Sequence, residues 1–229
     1  MAGAAYKAVS AQDVRKVVVL APSHYTRLRY VAVSMFDSLE TPLGELRVCR
    51  KDCQKLLESS ASFKPMEKAD DAAEHALEMQ LFQIKHIFPN CHVVPLVVGH
   101  MSATDRKHIA QVIRSTVEYD LLVISSDFSH YGANYDYDPF GDEEDVDSRL
   151  REMDQEAFAA ISSGSSGSFN SYLQRTKNTV CGKEPIMLAL DMLDKDSRKW
   201  KMLAYDRSSK SDSFEESSVG YLAAAFVEL

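Results

Sequence analysis

Val14-Arg15-Lys16-Val17-Val18-Val19-Leu20-Ala21-Pro22-Ser23-His24 is the stretch that decides the fold. A strand is expected over 14–20, nearly all β-branched and apolar, as a strand covered on both faces requires. Ala21-Pro22 ends it in a turn, which leaves Ser23 and His24 at the carboxyl end of a strand. Further strands are expected over 30–36, over 92–98 up to Gly99, and over 121–125. The last of these opens directly into Ser126-Asp127-Phe128-Ser129-His130-Tyr131-Gly132. Apolar residues recur at helical spacing over 52–60, 73–88, 104–119, 148–161, 168–177 and 184–193. Residues 3–9 read as a helix already in progress, and 201–205 and 219–227 as closing strands. The alternation predicts an α/β protein, a three-layer α/β/α sandwich around a mixed central sheet, in a single domain over 1–229. The Ser-Gly run over 162–168 is expected to be a flexible connector.

Bulk composition narrows the function. The chain has 229 residues, 45% of them hydrophobic and 26% charged, enough for a sizeable core. Its 34 acids against 26 bases give a net charge of −8, which argues against a nucleic-acid groove. No apolar run is long enough to insert into a membrane, and the first ten residues lack the features of a secretory signal. Cys49, Cys53, Cys91 and Cys181 form no disulfide framework, so a reducing, cytoplasmic setting is expected.

The chemistry-bearing residues gather where loops leave the strands, the usual place for ligands in open α/β sheets. One such segment is Pro22-Ser23-His24-Tyr25; the other is Ser125-Ser126-Asp127-Phe128-Ser129-His130. A third, Asn178-Thr179-Val180-Cys181-Gly182-Lys183-Glu184-Pro185, places Cys181 at or just before a helix N-terminus, where oriented N–H groups favour a thiolate. Cys49, Cys53 and Cys91 read as inert, buried thiols. Glu74-His75-Ala76-Leu77-Glu78-Met79 resembles a zinc-protease helix with Met79 where the second His belongs, which argues against that activity. The acidic loop over 136–147 imitates a calcium loop, but Phe140 and Asp147 stand at ligand positions, so it reads as a solvated loop.

Seven segments occur in the order in which they appear in the MEMO family, a family related to class III extradiol dioxygenases. They are Leu20-Ala21-Pro22-Ser23-His24, Thr41-Pro42-Leu43, Glu74-His75 with Glu78-Met79, and Pro95-Leu96-Val97-Val98-Gly99. Ser125 to Gly132, Asn178-Thr179-Val180-Cys181-Gly182 and Ser217-Ser218-Val219-Gly220-Tyr221 complete the set. The sequence resembles that family from near residue 14 to its end. The resemblance implies a dioxygenase-like fold and a pocket for copper or iron, with His24 as an imidazole ligand and Cys181 as a thiolate ligand. It also implies His130 as acid/base with Asp127 beside it, and Ser23, Tyr25, His75 and Ser126 as substrate contacts. The family's first metal-binding His lies in a Pro-His-Ala-Gly-Tyr segment that has no counterpart here. His75 is a candidate substitute that no spacing in the sequence places. The implied function is a redox or oxygenase-like role linked to signalling and cell motility. The alternative is an adaptor that takes phosphotyrosine-type peptides of signalling proteins. Thiol catalysis by Cys181 with His130 is a third reading.

Overall fold

The computed structural model describes residues 1–10, 14–141, 145–193, 198–211 and 213–228. In chain order, helix α1 (Ala2–Lys7) precedes strands β1 (Lys16–Pro22), β2 (Val31–Val33), β3 (Ser38–Leu39) and β4 (Leu46–Val48). Helix α2 (Arg50–Ser59), strand β5 (Phe63–Pro65) and helices α3 (Lys68–Ala73) and α4 (His75–Ile87) follow. Next come β6 (His92–Val98), α5 (Ala103–Thr116), β7 (Leu121–Ile124), β8 (His130–Tyr131) and a 3-10 turn at Ala133–Tyr135. The chain ends with α6 (Val146–Ser162), α7 (Ser166–Thr176), α8 (Lys183–Met192), β9 (Arg198–Arg207) and β10 (Ser218–Glu228). These elements cluster into two compact units. One holds residues 9–126 and 182–192; the other holds 1–8, 127–181 and 193–229.

The first unit is built on β1. β1 lies parallel to β6 on one side and to β7 on the other. β4 pairs parallel with the start of β6 and β2 antiparallel with its end, so the sheet is mixed but mainly parallel. Val17 to Ala21 and Val93, Val94, Leu96, Val97 and Val98 are buried, the continuous apolar run that coverage of both sheet faces demands. Helices α4 and α8 pack on β1, and α5 packs on α2 and α8. Ser102 caps α5 by accepting the Asp105 N–H at 3.1 Å. The carboxyl ends of β1 and β7 share one edge of this sheet, as the segments after them led us to expect.

A helix start and a connector differ from the sequence reading. The helix expected over 73–88 starts at His75, because Glu74 has an extended backbone (φ −70°, ψ 93°) and caps α4 with its carboxylate, and the separate helix α3 ends just before it. The Ser-Gly connector is a tight corner: Ser165 caps α7 by accepting the Ser168 N–H at 3.2 Å, and the helix starts at Ser166. Residues 142–144 of the acidic loop lie outside the described residues. Among the described residues no helix is long and apolar enough to cross a membrane.

The second unit pairs β10 antiparallel with both β8 and β9, and α6 and α7 pack together. Its buried polar centre is Asp154 on α6, which has no exposed surface. Ser129 gives it both its N–H (3.1 Å) and its hydroxyl (2.8 Å). Tyr205 donates its hydroxyl at 3.0 Å and Asn178 its side-chain amide at 3.3 Å. A side chain at Gly220 would collide with this carboxyl, so only glycine fits there. Burial raises the Asp154 pKa above its ordinary 3.8, and the bonds from Ser129, Asn178 and Tyr205 offset part of that rise.

Two outcomes follow from this packing. Leu96 is fully buried opposite Leu20, so Leu96→Ala is expected to cost about 2–5 kcal/mol in urea unfolding; a loss under about 1 kcal/mol would contradict the packing. Above pH 3.8, folded Asp154 holds a proton that the unfolded chain has released. Its contribution to stability therefore falls as pH rises, until the raised folded-state pKa is passed. Asp154→Asn is expected to lower stability at acid pH and to flatten this slope, read as urea midpoints across the acidic to neutral range. Parallel slopes in the two proteins would contradict it.

Candidate functional site

His24 follows the carboxyl end of β1 by two residues and lies against Glu74. The His24 ring Nδ1 is 2.7 Å from Glu74 Oε1, and the His24 N–H donates to Glu74 Oε2 at 2.8 Å. Glu74 Oε1 also accepts the Ala76 N–H at 3.2 Å. The Glu74 side chain is 1% exposed. Burial alone would raise its pKa, but the hydrogen bonds from the His24 ring, the His24 backbone and Ala76 outweigh it and hold the carboxyl below its usual range. Glu74 is therefore a buried, ionised carboxylate at neutral pH.

His75 stands beside this pair. Its ring lies 4.3 Å from the His24 ring, centroid to centroid and tilted by 30°, and its Nδ1 is 3.9 Å from Glu74 Oε1. One donor atom from each of His24, Glu74 and His75 can be chosen so that all lie within 4.8 Å of one another. Adjacent residues on a continuous helix do not face each other. The break at Glu74 removes that restriction, which lets Glu74 and His75 address one point. Helix α4 is fixed over the sheet edge by Ser125, whose hydroxyl donates to Ala76 O at 2.7 Å and accepts from Gln80 at 3.1 Å.

The expected substrate contacts fall in the same unit. Tyr25, 57% exposed, sets its ring edge-on to His75 at 6.1 Å. Ser23 donates its hydroxyl to Thr26 O at 2.6 Å, which shapes the loop. Ser126 accepts the Gly182 N–H at 3.0 Å, and a side chain at Gly182 would strike Ser126.

Asp127, His130 and Cys181 belong to the second unit. The Asp127 N–H donates to Cys181 Sγ at 3.0 Å. His130 Nδ1 lies 2.9 Å from Phe128 O and 3.1 Å from Thr179 O. Carbonyls only accept, so Nδ1 carries the hydrogen, and Nε2 holds the lone pair of the neutral ring. The Thr179 hydroxyl accepts the His130 N–H at 2.7 Å and donates to His130 O at 3.1 Å, pinning that backbone. The parts played by Thr179 and Glu74 were not foreseen from sequence. The signal for Thr179 was its place in the Asn-Thr-Val-Cys-Gly segment. All four cysteines are free thiols, and burial pushes Cys53 up to about 12 and Cys91 to about 11. Neither ionises near neutral pH, in keeping with inert thiols.

Known proteins place this chain in a family. The Memo-like protein family model matches residues 1–225. The chain is 31% identical over 235 residues to Protein MEMO1 of Xenopus laevis, covering 97% of this chain and 79% of that one. It is 28% identical over 233 residues to Protein MEMO1 of Homo sapiens, covering 96% and 78%. Identity to the memo-1 homolog of Caenorhabditis elegans is 30% over 229 residues, covering 95% of this chain and 65% of that protein's length. An uncharacterized protein of Escherichia coli K12 with a solved crystal structure shares the fold. Its TM-score is 0.53 at 12% identity, over 95% of this chain and 89% of that one. The likeness runs through every segment that builds the site, and the chain belongs to the Memo-like family.

Proposed function

We propose that this chain is a metal-dependent, redox-linked protein that takes copper or iron. The observation that supports the reading is the buried, ionised carboxylate of Glu74 beside the imidazole of His24, with a second imidazole, that of His75, next to it. Buried charge is costly unless it is paired, and a cation at this point pairs it. Imidazole and carboxylate are ordinary donors for iron, and imidazole also suits copper. The thiolate that the family resemblance implies as a ligand corresponds to Cys181. A bound ion of this kind supplies the one-electron and oxygen chemistry that side chains lack.

The residues of the chain have separate tasks in this reading. His130 keeps its hydrogen on Nδ1 and takes up or gives a proton at Nε2, with Asp127 beside it in the sequence. Ser23, Tyr25 and Ser126 contact the substrate. A cytoplasmic place rests on the four free cysteines, and a link to receptor-driven signalling and motility on family likeness.

An adaptor for phosphotyrosine-type peptides is the competing reading. It asks the same cluster to hold a dianionic phosphate against the Glu74 carboxylate, which repels it. That repulsion favours the cation.

Anaerobic loading with ferrous iron or cuprous copper, followed by desalting and elemental analysis, is expected to give about one ion per chain. His24→Ala is expected to retain less than about a tenth of it under the same wash. Wild-type protein that emerges without metal would sink the reading.

A further inference from the structure

We infer that the ion's protein ligands are His24, Glu74 and His75, so that the coordination set is complete within the unit that carries β1 and needs no thiolate. The inference rests on the metal-dependent reading and specifies its site.

Geometry carries it. Two donors held side by side on one ion, each about 2.0–2.2 Å away, lie about 3 Å apart. His24 Nδ1 and Glu74 Oε1 already stand at 2.7 Å, and His75 Nδ1 is 3.9 Å from the same oxygen. Closing the remaining gap asks for a turn of the His75 side chain, which is 56% exposed and so has room to move. The His24 side chain is 28% exposed and that of Glu74 1%. An ion at this point would take the Glu74 carboxylate and the two imidazoles as its ligands. Its outward positions are left to water or a small oxygen-donor ligand.

The chain is arranged for this convergence. Glu74 and His75 are neighbours, and on an unbroken helix their side chains would diverge. The extended backbone at Glu74 sends its carboxylate inward to His24, while His75 opens α4. Two imidazoles and one carboxylate with open positions form the donor set that suits non-haem ferrous iron. The Asp127 N–H bond to Cys181 Sγ gives that sulfur a partner of its own. His24 would bind the ion through Nδ1 as the tautomer that carries its hydrogen on Nε2, and the hydrogen bond to Glu74 is given up when both bind the metal.

Cobalt(II) is the probe, because its optical spectrum distinguishes the ligands. The full chain would be titrated anaerobically as wild type, His75→Gln, Glu74→Gln and His86→Ala, with circular dichroism of each metal-free protein as the folding check. His75→Gln is expected to weaken cobalt binding more than about tenfold, and His86→Ala to leave it unchanged. His75 is exposed, so its variant tests the inference even if Glu74→Gln fails to fold. The wild-type spectrum is expected to show only weak d–d bands. An intense thiolate-to-cobalt band together with unchanged affinity in His75→Gln would overturn the three-residue set while leaving a metal protein. Wild-type protein that binds no cobalt, iron or copper would overturn the metal reading as well.

Discussion

A carboxylate buried to the extent of Glu74 keeps its charge only when hydrogen bonds replace the water it has lost. Glu74 receives them from its own helix, through the Ala76 N–H, and from the loop after β1, through the backbone and ring of His24. The same carboxylate therefore caps α4, breaks it from α3 and fixes the loop that follows the central strand. These three local features share one cause. They bring His24, a residue 50 positions away in sequence, against Glu74 and its neighbour His75.

Two of the buried acids, Glu74 and Asp154, show how partners decide charge. Glu74 sits beside an imidazole that can carry a positive charge, and its pKa is lowered. Asp154 is surrounded by neutral donors (a serine hydroxyl and N–H, an amide and a phenol), and its pKa is raised. Neutral hydrogen bonds offset desolvation only in part, whereas a group able to share or take the charge tips the balance. Asp154 accordingly acts as a structural post under the segment that carries His130. Glu74 offers negative charge at the edge where the parallel strands end.

Much of this was legible in the residues. The unbroken apolar runs of β1 and β6 announced strands covered on both faces, and His24 was found by its place after the first of them. The family likeness was visible in seven short segments. The break at Glu74 was not, because 68–87 contains no Gly or Pro and reads as helix-forming throughout. A tertiary contact overrode local preference there, through a bond to a residue that no helical period relates to Glu74. The short strands β3, β4 and β5 escaped for a similar reason. Segments of two or three residues carry too little periodicity, and they exist because longer strands offer them partners. The role of Thr179 was hidden as well, because its grip on His130 depends on the pairing of segments 49 residues apart.

The most direct test of the metal centre is X-ray absorption at the metal edge of the iron- or copper-loaded protein, kept anaerobic. The account predicts a nearest shell of nitrogen and oxygen at about 2.0–2.2 Å, with the outer-shell scattering of two imidazole rings that fades in His75→Gln. A sulfur scatterer at about 2.3 Å, with a ring signal indifferent to His75, would contradict it.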